Sequence, residues 1–159
     1  MLLLGLALGF LSSPMKTIDL DGDTARQVIV DREVGQYLGH PTTALLGDGK
    51  TILCVYPKGH GRGAILMKRS PDGGKTWSDR LPTPANWATS LETPTIHRVR
   101  DPKTKKHRLI LWSGLNPARL ASSEDEGQTW TELKPVGTWG GIVVMGFVEQ
   151  LRNGELLAM

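Results

Sequence analysis

The stretch RSPDGGKTW at residues 69–77 decides how this chain is interpreted, because an altered copy, SSEDEGQTW, occurs at residues 122–130. Both copies contain the pattern Ser-x-Asp-x-Gly-x-Thr-Trp, and each comes directly after a short strand-like run. Aspartate and glycine at this spacing are typical of tight turns, in which the carboxylate accepts hydrogen bonds from nearby backbone N–H groups. The repeat therefore indicates a recurring structural unit.

Aligning the two copies reveals two similar units, at about residues 37–83 and 90–135, each made of strand-like runs separated by turns. The runs lie at residues 40–46, 51–57 and 64–70 in the first unit and at 92–100, 108–114 and 119–123 in the second. We expect four short antiparallel strands per unit, with the tryptophan of each motif starting the fourth. A third, incomplete unit covers about residues 140–159 and contains a hairpin turn, RNGE.

A period of about 50 residues with four strands per unit is typical of a β-propeller, whose sheets stack around an axis. The predicted fold class is therefore all-β, with about two and a half propeller blades present. Because propellers have about four to eight blades, we expect this sequence to be the N-terminal part of a longer protein. The 19 glycines and 10 prolines among 159 residues favour strands and turns over long helices.

The first residues differ in composition from the repeats. Residues 1–14 are apolar and end in small residues, which is typical of a signal peptide, so we expect a secreted or periplasmic protein. A buried N-terminal segment is the alternative. Residues 15–36 form a separate segment in which RQVIVDRE (residues 26–33) predicts a strand. We expect no membrane span in the chain after the leader.

Composition excludes several classes of function. The formal net charge is only +3, and the one dense basic run, at residues 101–108, contains no aromatic residue on which a base could stack, so nucleic acid is not an expected partner. The single cysteine, Cys54, lies in a strand-like run and is expected to be buried. The sequence has no zinc-ligand spacing, and DLDGDT (residues 19–24) lacks the rest of a calcium loop, so we predict no metal site and no cofactor.

The two motifs resemble the Asp box, or BNR repeat, of the sialidase (neuraminidase) superfamily, and the resemblance covers about residues 37–159. It implies a six-bladed β-propeller and an exo-α-sialidase-like glycoside hydrolase that acts on terminal acidic sugars of glycoconjugates. The box residues are expected to serve the turns alone, because equivalent turns of successive blades point outward. They are Ser70, Asp72, Gly74, Thr76 and Trp77 in the first box and Ser123, Asp125, Gly127, Thr129 and Trp130 in the second.

The loops after the second and fourth strands of each unit would lie at the end opposite to the boxes, and these loops carry the polar side chains that a ligand needs. We predict that His60 is the general acid and that the other rim residues bind substrate. The predicted substrate-binding residues are His40, Lys58, Arg62, Glu92 and Arg119. Trp87 and Trp139 are further candidates, and each rim residue also has a plain interpretation as a structural or solvated loop residue.

Sialidases hold the sugar carboxylate with three arginines, protonate the leaving oxygen with an aspartic acid, and use a tyrosine nucleophile assisted by a glutamate. Their first arginine belongs to an Arg-x-Pro motif, but here Gly39 stands two residues before Pro41, and the loop at residues 58–63 has no carboxylate. Two alternatives therefore stay open. One is a non-catalytic Asp-box propeller that binds glycans or a protein partner, and the other is a propeller lyase or neutral glycosidase.

Overall fold

The computed structural model describes residues 16–137, 139 and 146–159, which form nine short strands and two 3₁₀ helices. The strands are β1 (Thr42–Leu45), β2 (Ile52–Pro57), β3 (Ile65–Ser70), β4 (Pro94–Arg100), β5 (His107–Ser113), β6 (Ala118–Ser123), β7 (Lys134–Gly137), β8 (Val148–Gln150) and β9 (Leu156–Ala158). The 3₁₀ helices are Thr24–Arg26 and Ala85–Thr89. Within the described residues, neither helix has the length and hydrophobicity of a transmembrane helix.

Three antiparallel sheets contain these strands, in the orders β1-β2-β3, β4-β5-β6-β7 and β8-β9. Every strand pairs with its neighbour in the sequence, as expected for hairpins joined by short turns. The prediction of an all-β protein is confirmed.

The first two sheets bury their apolar side chains in one shared core. On β2, Leu53 and Val55 point to this core, and on β5 Leu109 and Leu111 do the same, because side chains alternate between the two faces of a strand. All four side chains are fully buried. Burying a large aliphatic side chain contributes about 1.5–3 kcal/mol, so this core is the main source of stability.

Polar contacts at both ends of the core fix how the two sheets face each other. At one end, the hydroxyl of Thr42 accepts a hydrogen bond from the backbone N–H of Ile96 (3.2 Å) and donates to the carbonyl of Pro94 (3.3 Å). At the other end, Glu126 forms an ion pair with Arg98 (2.9 Å) and accepts a hydrogen bond from the N–H of Gly47. The first strands of the two sheets, β1 and β4, are therefore held side by side.

Each Asp box is a turn whose polar groups bond to one another. In the first box, Asp72 accepts hydrogen bonds from the N–H of Thr76 (2.9 Å), the hydroxyl of Thr76 (2.7 Å) and the hydroxyl of Ser70 (2.9 Å). The Ser70 hydroxyl in turn accepts from the N–H of Gly74 at 2.8 Å, and the indole N–H of Trp77 donates to the carbonyl of Gly74. These partners all lie within four residues in the sequence, while the N–H of Gly73 donates to the carbonyl of Lys50 (2.9 Å) in the turn before β2.

The second box repeats this geometry. Asp125 accepts from the N–H of Thr129 (2.9 Å), the hydroxyl of Thr129 (2.6 Å) and the hydroxyl of Ser123 (2.8 Å), and Ser123 accepts from the N–H of Gly127 (2.9 Å). The ring of Trp130 packs edge-to-face against Trp87, with 5.3 Å between centroids. The two boxes therefore serve as structural turns.

The fourth strands differ from the prediction. After Trp77 the first sheet has no fourth strand; only two backbone hydrogen bonds tie this segment to β3, from the N–H groups of Ser78 and Leu81. Pro82 and Pro84 have no N–H to extend such a ladder. In the second sheet the fourth strand, β7, begins at Lys134 rather than at Trp130.

The predicted strand at residues 26–33 is wrong. A 3₁₀ turn ends at Arg26, and residues 27–33 form no strand but lie along the first sheet, where side chains hold them. Asp31 accepts hydrogen bonds from the Tyr56 hydroxyl and from Arg80, and Lys68 donates to the carbonyl of Val30. Side-chain bonds thus replace the backbone ladder that a strand would need.

The third predicted unit is seen in part. Strands β8 and β9 form the expected hairpin around the RNGE turn, which the N–H of Gly154 closes onto the carbonyl of Leu151. The start of this unit, at residues 140–145, and the predicted leader, at residues 1–14, lie outside the described residues.

We expect Gly127→Ala to destabilise the protein more than Gly73→Ala. Both glycines have left-handed φ angles, +80° and +76°, which cost a non-glycine residue about 1 kcal/mol. A Cβ at position 127 would also collide with Leu53, whereas position 73 has no atom within 4 Å. Overpacking adds about 1–3 kcal/mol to the loss at Gly127. Urea denaturation measures both changes, and equal losses would contradict the described packing.

The Asp boxes should make the fold sensitive to acid. Hydrogen bonds from the Thr76 N–H and the Thr129 hydroxyl hold the pKa values of Asp72 and Asp125 at about 2, below the ordinary 3.8. Because the folded-state pKa is lowered, the stabilisation is present above pH 4 and is lost as the pH falls from about 4 to 2. Thermal unfolding should therefore show a steeper acid loss in the wild-type protein than in the Asp72→Asn/Asp125→Asn variant. Asp79→Asn, outside both boxes, should keep the wild-type slope.

The thiol of Cys54 should be unreactive in the folded protein. Its side chain is buried in β2, and burial raises the pKa of the thiol to about 11, so little thiolate forms at neutral pH. We expect a thiol-specific chromogenic reagent to label Cys54 only in denaturant. Rapid labelling without denaturant would show that the N-terminal segment lying over β2 opens readily.

Candidate functional site

An open cleft of about 380 Å³ lies at the end of the two sheets opposite to the Asp boxes. It combines aromatic, basic, acidic and apolar side chains from four separate segments of the chain. Its lining residues are His40, His60, Gly61, Arg62, Leu91, Glu92, Thr93 and Leu115. The structure thus brings together four of the six predicted rim residues.

The segments of the cleft are positioned by the strands that follow them. His40 lies two residues before Thr42 in β1, and Glu92 lies two residues before Pro94 in β4. The hydrogen bonds of the Thr42 hydroxyl to Pro94 and Ile96 hold these two strand starts together. They therefore also fix the spacing of His40 and Glu92 across the cleft.

The loop at residues 58–63 brings His60 and Arg62 to the same place. Its ends are joined by the N–H of Lys58, which donates to the carbonyl of Ala64 (2.8 Å), and the N–H of Gly63 donates to the carbonyl of Ser90 (3.2 Å). A Cβ at Gly63 would collide with the carbonyl of Lys58, so the loop closes this tightly only with glycine there. Leu38 forms isolated β-bridges with Lys58 and Gly59, which attach the segment before His40 to the loop.

Two cleft residues have unusual backbone conformations. His40 and Leu115 are left-handed, with φ angles of 53° and 63°, although neither is glycine. Such conformations cost energy and persist only where the surroundings enforce them, and they are concentrated at functional sites. Their occurrence in one cleft supports its choice as the candidate site.

The charged groups of the cleft differ in how they are bonded. Arg62 is exposed and forms no ion pair with any described residue. Glu92 accepts a hydrogen bond from the N–H of Thr93 (2.9 Å), and its carboxylate lies beside Gly61. Arg62 is therefore the guanidinium available to an anionic ligand, while Glu92 has acceptor capacity left for hydroxyl groups.

Two predicted substrate-binding residues bond elsewhere. Lys58 forms an ion pair with Glu33 at 2.8 Å and does not line the cleft. Arg119 donates to the hydroxyl (2.8 Å) and the carbonyl (2.6 Å) of Thr89, and its partial burial lowers its pKa. Both side chains act as structural links in this structure, because their donors are already engaged within the chain.

The two tryptophan candidates are also outside the cleft lining. Trp87 is fully buried in the core, where its indole N–H donates to the carbonyl of Thr131. Trp139 is exposed and packs against Gly137. Of the two interpretations of Trp87, the structural one agrees with this position, because the 3₁₀ helix Ala85–Thr89 turns this side chain inward.

Tyr37 is a neighbour of the site that the sequence analysis did not single out. Its ring centroid lies 5.2 Å from that of His60 and 6.1 Å from that of His40. The stretch YLGHP contained the signal, since an aromatic residue stands beside a glycine and a histidine in one short loop.

A second hollow, of about 340 Å³, lies between the first sheet and the N-terminal segment. It is bordered by Val28, Ile29, Cys54 and Tyr56 and by Asp31. Burial alone would raise the pKa of Asp31, but hydrogen bonds from Arg80 and Tyr56 outweigh it and lower the pKa to about 2. Because Asp31 is fully engaged, this hollow offers less to a polar ligand than the cleft does.

Comparison with known proteins adds no family or relative. Neither models of protein families nor curated protein sequences match this chain at a significant level. Within the described residues, no group of three or more His, Cys, Asp or Glu side chains is arranged to hold a metal ion.

Proposed function

We propose that this chain belongs to a sialidase-like β-propeller and that its cleft binds a terminal acidic sugar of a glycoconjugate. The observation that carries the proposal is the cleft itself, in which His40, His60, Arg62 and Glu92 meet at the end opposite to the Asp boxes. The face-to-face packing of two hairpin sheets and the matching aspartate and serine hydrogen bonds of the two box turns support the propeller.

Each cleft residue has a role in this proposal. Arg62 pairs with the sugar carboxylate, for which the two parallel N–H donors of a guanidinium are well suited. Glu92 accepts hydrogen bonds from ring hydroxyl groups. His60 donates a proton to the leaving glycosidic oxygen as the bond from that oxygen to the anomeric carbon breaks, and water then adds to this carbon and gives its second proton back to the His60 imidazole.

A specific observation favours a second candidate, a non-catalytic glycan-binding propeller. Glu92 is the only carboxylate among the residues that line the cleft, so the aspartic acid that protonates the leaving oxygen in sialidases has no counterpart in this lining. Binding of the glycan without cleavage does not need that acid.

Two variants distinguish these functions. Arg62→Gln removes the charged partner of the carboxylate and should weaken binding of a methyl α-sialoside by about 10–100-fold, measured by calorimetry. His60→Gln should lower the turnover of a fluorogenic sialoside by about 10²–10⁴-fold, since the general acid is lost.

The matched controls for this experiment are Arg152→Gln and His107→Gln, which change exposed residues that do not line the cleft. Both should behave as the wild-type protein. Binding without any turnover selects the glycan-binding candidate. Absence of both binding and turnover would contradict the proposed function.

A further inference from the structure

Three aromatic rings meet at one side of the cleft. The rings of His40 and His60 lie edge-to-face with 4.8 Å between their centroids, and Tyr37 is tilted by 45° to His60 and by 52° to His40. These rings come from two segments that the β-bridges of Leu38 fix against each other. They form a corner, which we call the aromatic corner, rather than a buried stack.

Gly39 makes the position of Tyr37 possible. A Cβ built at position 39 would lie 2.5 Å from Cζ and from the hydroxyl oxygen of Tyr37, closer than such atoms can approach. The three atoms nearest to this Cβ all belong to the Tyr37 side chain. The ring therefore covers the site at which any larger residue, including arginine, would place its side chain.

The rings of the corner face solvent. Tyr37 is 52% exposed, and His40 and His60 are also exposed. The face of a neutral aromatic ring such as that of Tyr37 is negative, so it attracts the polarised C–H groups on the apolar face of a pyranose, and the histidine rings flank it. The backbone of His40 has a left-handed φ, and the three exposed rings form an aromatic surface next to the guanidinium of Arg62.

We propose that the aromatic corner of Tyr37, His40 and His60 is a stacking surface for the sugar ring, and that Gly39 is present so that Tyr37 can complete it. This inference rests on the proposed function, because the ligand is the same terminal sugar. It deepens that function by naming a specificity determinant: the corner recognises the C–H face of the ring, and Arg62 recognises its charge.

Because the aromatic corner recognises the ring face and Arg62 recognises the charge, variants of the two should respond differently to two probes. The probes are the methyl α-glycoside of N-acetylneuraminic acid and its neutral C1 amide. Tyr37→Ala should weaken binding of both probes by the same factor, about 3- to 10-fold, because both present the same ring face. Arg62→Gln should weaken the acid probe and leave the amide nearly unchanged. Tyr37→Phe keeps the ring and should bind both probes as the wild-type protein does.

A second measurement tests the role of Gly39 without a ligand. Gly39→Ala should lower the thermal midpoint, because its methyl group displaces the Tyr37 ring, and should also reproduce the binding loss of Tyr37→Ala. Gly22→Ala is the matched control, since no atom lies within 4 Å of a Cβ at position 22. In a Tyr37→Ala background, Gly39→Ala should have almost no further effect on the midpoint.

The outcomes distinguish a failure of the aromatic corner from a failure of the proposed function. If the wild-type protein binds the acid probe while Tyr37→Ala binds both probes unchanged, the aromatic corner is overturned and the proposed function stands. If Gly39→Ala is equally harmful with and without Tyr37, the role given to Gly39 is overturned. If the wild-type protein binds neither probe, the proposed function fails and the stacking surface fails with it.

Discussion

The apolar packing of the first sheet against the second in one shared core is the interaction on which the rest of the structure depends. Leu53 and Leu109 meet beneath Gly127, where no side chain fits, so the second Asp-box turn closes directly over the core. Because burial of such side chains is the largest favourable term available, it sets the distance and the rotation between the two sheets. Polar contacts between the sheets, such as the hydrogen bond from the N–H of Gly47 to Glu126, then add direction to a packing that is not itself directional.

The cleft is a consequence of this packing. Antiparallel hairpins place alternate connections at opposite ends, so stacking two sheets gathers the loop at residues 58–63 and the segments before β1 and β4 at one end. The hydroxyl of Thr42 then fixes the strand starts to each other. The site is therefore formed by loops on a rigid scaffold, an arrangement that lets loop residues change while the core is kept.

Local interactions were predictable from the sequence and long-range partners were not. The Asp72 turn could be predicted because its partners lie within four residues, and the meeting of His60 with Glu92 followed from the order of hairpins. Lys58 forms an ion pair with Glu33, and no pattern in the sequence predicts this pairing. Trp87 appeared to be a rim residue because its polar neighbours suggested a loop, whereas a short 3₁₀ turn buries it.

The absent fourth strand of the first sheet and the absent strand at residues 27–33 are connected through Arg80. Arg80 lies in the segment where the fourth strand would run. Its guanidinium contacts the carboxylates of Asp31 and Glu33, both at 2.7 Å, and its segment does not follow β3 as a strand. Burying Asp31 is costly, and the hydrogen bonds from Arg80 and Tyr56 offset that cost only while residues 27–33 stay in place. Glu33 also holds Lys58, the first residue of the loop that carries His60. The ionic cluster that replaces two strands thus also anchors one wall of the cleft.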